Sequence, residues 1–124
     1  MTCAQVGRAL EKVEIDLVSM MAEVASSSDE ARITAEHVSE IESLIDSFSM
    51  DLGCDFELMI PGKTAAEAHL NLARTVCRRT ERFMSACADE VVPNAQTMVY
   101  LNRLSDLLYV LARMETVPVS THLC

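Results

Sequence analysis

The chain has 124 residues, half of them hydrophobic, with 4% aromatic and no tryptophan, which is enough for one domain with a real core and too little for two. Nineteen acidic residues against ten Lys and Arg leave a formal net charge of -9, and that balance excludes a general nucleic-acid binder, which needs a broad basic surface. No apolar run approaches the ~20 residues that span a bilayer, and charge interrupts the N-terminal MTCAQVGRALEK too early for a secretory signal, so the expectation is one cytoplasmic domain over residues 1–124.

A core poor in aromatics and rich in methionine, with eight Met, suits packed helices better than a sheet. Val6, Leu10, Val13, Leu17, Met20 and Val24 recur at spacings of three and four and predict a helix from about Ala4 to Ala25 with one apolar stripe. The run SSSDE ends it. Thr34 is the expected N-cap of a second helix whose apolar face is Val38, Ile41, Leu44, Ile45 and Phe48, running down near Leu52 and Gly53. Pro61 and Gly62 make a turn. Thr64 and Glu67 then form a capping box, opening a third helix with the stripe Leu70, Ala73, Cys77, Thr80, Met84 and Cys87. After Pro93 and Asn94 a fourth helix, about Ala95 to Met114, is expected to bury Leu101, Leu104, Leu108 and Leu111 before Pro118. The fold class is all-α: an up-and-down bundle of four to five helices.

The cysteines Cys3, Cys54, Cys77, Cys87 and Cys124 are odd in number and form no C-x-x-C pair, so reduced thiols are expected rather than a disulfide framework or a zinc site. His37, His69 and His122 lack partners at metal-ligand spacing, and no metal site is expected from protein ligands. Charge is uneven: residues 1–62 carry three basic residues against thirteen acids, residues 63–124 seven against six. In the second half RTVCRRTER crowds Arg74, Arg78, Arg79 and Arg82 into nine residues. Arg74, Arg78, Glu81 and Arg82 share one helix face, with Arg79 rotated away. Guanidinium forks stacked in this way match phosphate oxygens, although charged helix faces are more commonly solvated than ligand-bearing. The fourth helix offers a second polar line, Asn102, Asp106, Tyr109 and Arg113, placed either to pair with those arginines or to hold a ligand.

The stretches IPGKTAAEAHLNLARTVCRRTER and YLNRLSDLLYVLAR resemble the PduO-type ATP:cob(I)alamin adenosyltransferases, whose helices carry an R-x-x-x-R-R-x-E-R run and a Y/F-L-N-R-L-S-D-x-L-F run. Upstream, LEKVEIDLVSMMAEVAS and RITAEHVSEIESLID are similar to two further helices of that family, so the resemblance covers about Leu10 to Arg113. It implies a ferritin-like, cobalamin adenosyltransferase-like bundle assembled as a homotrimer, with ATP, Mg2+ and a corrinoid bound at subunit interfaces. The implied reaction moves the 5'-deoxyadenosyl group of ATP to cob(I)alamin and releases triphosphate. By resemblance Arg74, Arg78 and Asp106 are the candidate catalytic residues. Arg78, Arg79, Glu81, Arg82, Asn102 and Arg103 are the candidate nucleotide-site residues, and Leu58, with Phe56 two residues earlier, stands where the family places a phenylalanine under the corrin. A corrinoid-dependent acceptor enzyme or a reductase is the further partner implied; nucleic acid and membrane are not. The family's glycine-rich G-D-x-G-x-T loop and its D-E-L-N segment do not occur in these 124 residues, whose glycines are Gly7, Gly53 and Gly62, so the expectation is an N-terminally shortened member. A non-catalytic corrinoid- or nucleotide-binding or delivery protein is the alternative.

Overall fold

The computed structural model describes residues 3–25, 31–52, 64–87 and 94–116. They form four helices, α1 (Cys3–Ala25), α2 (Ala35–Leu52), α3 (Ala65–Ala86) and α4 (Ala95–Thr116), with no strand among the described residues. Starts and stops follow local chemistry. Thr64 has extended backbone and its hydroxyl accepts the Glu67 N–H, opening α3; Asn94 does the same for α4 by accepting the Gln96 N–H at 3.1 Å. At α2 the capping device differs from the one expected of Thr34: the His37 ring nitrogen Nδ1 accepts the Thr34 N–H at 3.0 Å, satisfying an orphan donor from the side-chain direction opposite to the usual one.

Cross-helix pairs fix the topology. Asp16 meets Tyr100 and Glu23 meets Thr97, so α1 and α4 run antiparallel. Lys12 pairs with Glu40 while Asp16 faces His37, so α1 and α2 do too. On the far side Cys77 bonds Leu101 and Arg74 lies over Tyr109, which sets α3 antiparallel to α4. The result is the up-and-down bundle expected, with α4 packed directly against both α2 and α3.

That central position changes how α4 buries itself. Leu101, Leu104, Leu108 and Leu111 are buried as expected, but so are Thr97, Tyr100, Ser105, Leu107, Val110, Ala112 and Arg113. A helix touching neighbours on several sides has no single narrow seam. α1 and α2 keep their stripes, with Val13, Met20, Val38, Ile41 and Phe48 buried and Val6, Leu10, Leu17, Leu44 and Ile45 packed beside them; only Val24, near the end of α1, is exposed.

The expected face of α3 is corrected. Ala73 and Thr80 are exposed, and the inward residues are Glu67, Asn71 and Cys77, flanked by half-buried Leu70, Arg74, Glu81 and Met84. Leu72, Val76 and Phe83 point outward. The apolar residues of α3 lie to one side of the helix, but only part of that side faces in, and the face packed in the bundle takes in Glu67 and Asn71 as well.

Two polar clusters pin the α1 side of the bundle. Tyr100 donates to Asp16 at 2.8 Å, and Lys12 bridges Asp16 at 2.7 Å and Glu40 at 2.5 Å. Burial weakens the Lys12 charge, but the two carboxylates outweigh it and raise its pKa; burial and the Asp16 contact drive Tyr100 far upward, keeping it a neutral phenol. At the end of α1, Glu23 accepts the N–H groups of Arg32 at 2.7 Å and Ile33 at 3.1 Å, the Asn94 amide at 3.1 Å and the Thr97 hydroxyl. One carboxylate thus ties α1 to the lead into α2 and to the head of α4. Burial opposes its charge, yet the hydrogen bonds prevail and lower its pKa. No described helix is long and apolar enough to cross a membrane.

Candidate functional site

The helical spacing of RTVCRRTER brings Arg74, Arg78 and Arg82 into one open groove of about 290 Å³, with Thr75 completing its lining. Arg74 is half-buried, Arg78 and Arg82 exposed. A second depression of about 530 Å³ lies alongside, lined by Glu81, Arg82 and Ser85 of α3 and by Met98, Val99 and Asn102 of α4. Arg82 borders both, and only the second reaches α4.

Among the described residues no carboxylate lies within ion-pairing distance of Arg74, Arg78, Arg79 or Arg82. Like charges at i,i+4 repel, and in a chain of net charge -9 there is no shortage of acids to relieve them. The fold leaves these cations available. Arg74 alone has a described partner: its guanidinium carbon stands 5.3 Å from the centre of the Tyr109 ring on α4, within cation–π range. Its Nε is buried without a hydrogen-bond acceptor among the described residues, as is the Asn71 Oδ1 one turn earlier without a donor. Asn71 donates through its amide to the buried Glu67 carboxylate.

Asn102 is exposed and Asp106 partly so, but Asp106 does not reach α3. It pairs with Arg103 on its own helix at 2.5 Å, and Arg103 also donates to the Asn102 side-chain oxygen Oδ1 at 3.3 Å. At i,i+3 this contact forms without any help from the fold, which is why it takes precedence over a partner on the other helix. Arg103 and Asp106 therefore stand beside the two depressions rather than lining them, Arg79 is exposed and lines neither, and Leu58 and Phe56 lie outside the described residues.

Cys77, between Arg74 and Arg78 in sequence, is buried against α4. Its thiol donates to the Leu101 carbonyl at 3.2 Å, and burial, then the Glu81 charge, push its pKa up to about 11 despite Arg78. It is a neutral thiol near pH 7. Sequence reasoning had no grip on Thr75, Ser85, Met98 and Val99 as lining residues. Tyr109 did carry a signal, since it falls on the polar line of Asn102 and Asp106.

Fold and site together define a four-helix bundle with a basic groove cut into an acidic molecule. More specifically, a family profile described as cobalamin adenosyltransferase matches residues 1–115, and the chain belongs to that family. It is 37% identical over 111 residues to the corrinoid adenosyltransferase PduO of Salmonella typhimurium, covering 86% of this chain and 33% of the relative. It is 40% identical over 84 residues to a corrinoid adenosyltransferase of Citrobacter freundii, 68% of this chain and 48% of the relative. A Mycobacterium leprae corrinoid adenosyltransferase shares 41% identity over 86 residues, 67% and 44% respectively. The chain thus spans a third to a half of the length of these relatives.

Proposed function

We propose that this chain acts in corrinoid adenosylation, the transfer of the 5'-deoxyadenosyl group of ATP to a reduced corrinoid with release of triphosphate. The observation that carries the reading is the groove in which Arg74, Arg78 and Arg82 converge with no described carboxylate among them. Triphosphate is the leaving group, so cations that gather its negative charge as the C–O bond breaks lower the barrier, and holding the nucleotide in one place supplies the orientation. Arg78 and Arg82 would bind phosphate oxygens, with Arg74 completing the clamp. Asn102 and Glu81, in the adjoining depression, would meet the nucleoside. Arg79, Arg103 and Asp106 would shape the surrounding field, Asp106 by holding Arg103 beside Asn102. Mg2+ would arrive with ATP, and Leu58 and Phe56 would belong to the corrin side.

The apolar residues Ile15, Val18 and Met21 on α1 and Leu72, Val76 and Phe83 on α3 are exposed in the single chain, which supports a homotrimer in which such faces are covered. A reductase or acceptor enzyme completes the cycle, in the cytoplasm.

The test is an anaerobic absorbance time course of chemically reduced cob(I)alamin with Mg-ATP and the protein, beside a no-protein control. A light-sensitive alkylcobalamin is the expected product, and its absence with well-folded trimeric protein defeats the enzyme reading. The second reading is a corrinoid- or nucleotide-binding protein without transfer, to which the exposed Arg78 and Arg82 of the groove are equally suited. Binding of ATP without product distinguishes it.

A further inference from the structure

Arg74 differs from its neighbours in the groove in what holds it. Arg78 and Arg82 are exposed and free to follow a ligand, whereas Arg74 is half-buried and its Nε has no acceptor among the described residues. No described hydrogen bond therefore orients this guanidinium at Nε. What does face it is the Tyr109 ring, 5.3 Å from its central carbon. Tyr109 lies on α4, the described helix with the most buried residues, and is itself 40% exposed at the surface.

We propose that Tyr109 is a positioning residue for the arginine groove: its ring fixes the Arg74 guanidinium so that the terminal nitrogens face the bound polyanion. The role rests on the phosphate-clamp reading above. The ring supplies the attraction and the plane, and ordering Arg74 before a ligand arrives removes part of the entropic cost of binding. The phenolic hydroxyl is not needed for this.

Two measurements on the full chain test it. First, inorganic tripolyphosphate is titrated calorimetrically into the wild type, Tyr109→Leu, Tyr109→Phe, Arg74→Ala and the Arg74→Ala/Tyr109→Leu double variant. Tyr109→Leu is expected to weaken binding by about three- to tenfold, Tyr109→Phe to restore what Leu loses, and Tyr109→Leu to have no further effect once Arg74 is gone. An equal loss with and without Arg74, or no loss, overturns the proposal. Second, the Arg74 Nε–Hε NMR resonance, shifted by the ring current, should move in Tyr109→Leu and stay in Tyr109→Phe without any ligand; an unmoved resonance also overturns it. If the wild type and Arg78→Ala bind tripolyphosphate equally, the clamp itself fails. That result is seen without any Tyr109 variant, so the two failures are told apart, and the positioning role falls with the clamp.

Discussion

The two sides of α4 treat charge in opposite ways. Toward α1 and α2, Asp16, Lys12, Glu40 and Glu23 all find partners inside the chain, and Glu23 alone collects four hydrogen bonds. Toward α3, Arg78, Arg79 and Arg82 have no described partner and Arg74 has only an aromatic ring. Buried charges that are paired hold a fold in one arrangement, and a broken pair is costly. Cations gathered on a surface without a described partner contribute little to stability and repel one another.

Substitutions on the two sides should therefore separate stability from binding. The largest expected effect is at Asp16: Asp16→Ala strands the buried Tyr100 hydroxyl and leaves Lys12 one partner short, and should destabilise by about 3 kcal/mol in chemical denaturation. A loss below about 1 kcal/mol would show that the cluster is decorative. Glu23→Ala comes next, at about 1–3 kcal/mol, because the Thr97 and Asn94 side chains and two backbone N–H groups lose their acceptor. The Glu23 carboxyl is held below its unfolded value of 4.5 in the folded chain, so its contribution is complete above that pH and lost as the pH falls through the lowered value. Wild-type stability should accordingly drop more steeply on acidification below about pH 4.5 than that of Glu23→Gln; parallel curves would remove Glu23 from the account.

Across α4 the expectation reverses. Arg78→Ala should leave unfolding within about 0.5 kcal/mol of wild type while weakening tripolyphosphate or ATP binding by about ten- to a hundredfold. A variant that unfolds readily and binds normally would erase the contrast between the two sides. The smallest effect is at Gly7, which is exposed and where an added Cβ meets nothing within 4 Å. Gly7→Ala should stabilise α1 by about 0.5–1 kcal/mol, read as a small rise in Tm.

Much of this was legible in the sequence where local rules act. Thr64 and Glu67 announced the start of α3, and the stripes of α1 and α2 followed from three-and-four spacing because each of those helices buries one face. The arginine groove was legible for the same reason, since side chains four apart stack whatever the tertiary structure. What the sequence hid depends on neighbours. Glu67, Asn71 and Arg113 look like surface residues, yet they are buried because α4 lies against them or is surrounded itself. The pairing of Asp106 with Arg103 instead of an α3 arginine is decided by proximity along one helix, which a pattern of polar positions on two helices cannot rank.

Cys77 has a bearing on the proposed chemistry through what it is prevented from doing. Adenosyl transfer exposes an electrophilic 5' carbon, and a thiolate on α3 would be a rival for it, ending in a dead-end thioether. Between Arg74 and Arg78 such a sulfur would ordinarily be coaxed toward ionisation by its cationic neighbours. Burial and the Leu101 carbonyl hold it as the thiol instead. The same packing that seats α3 on α4 thus keeps this thiol neutral and out of the lining of both depressions.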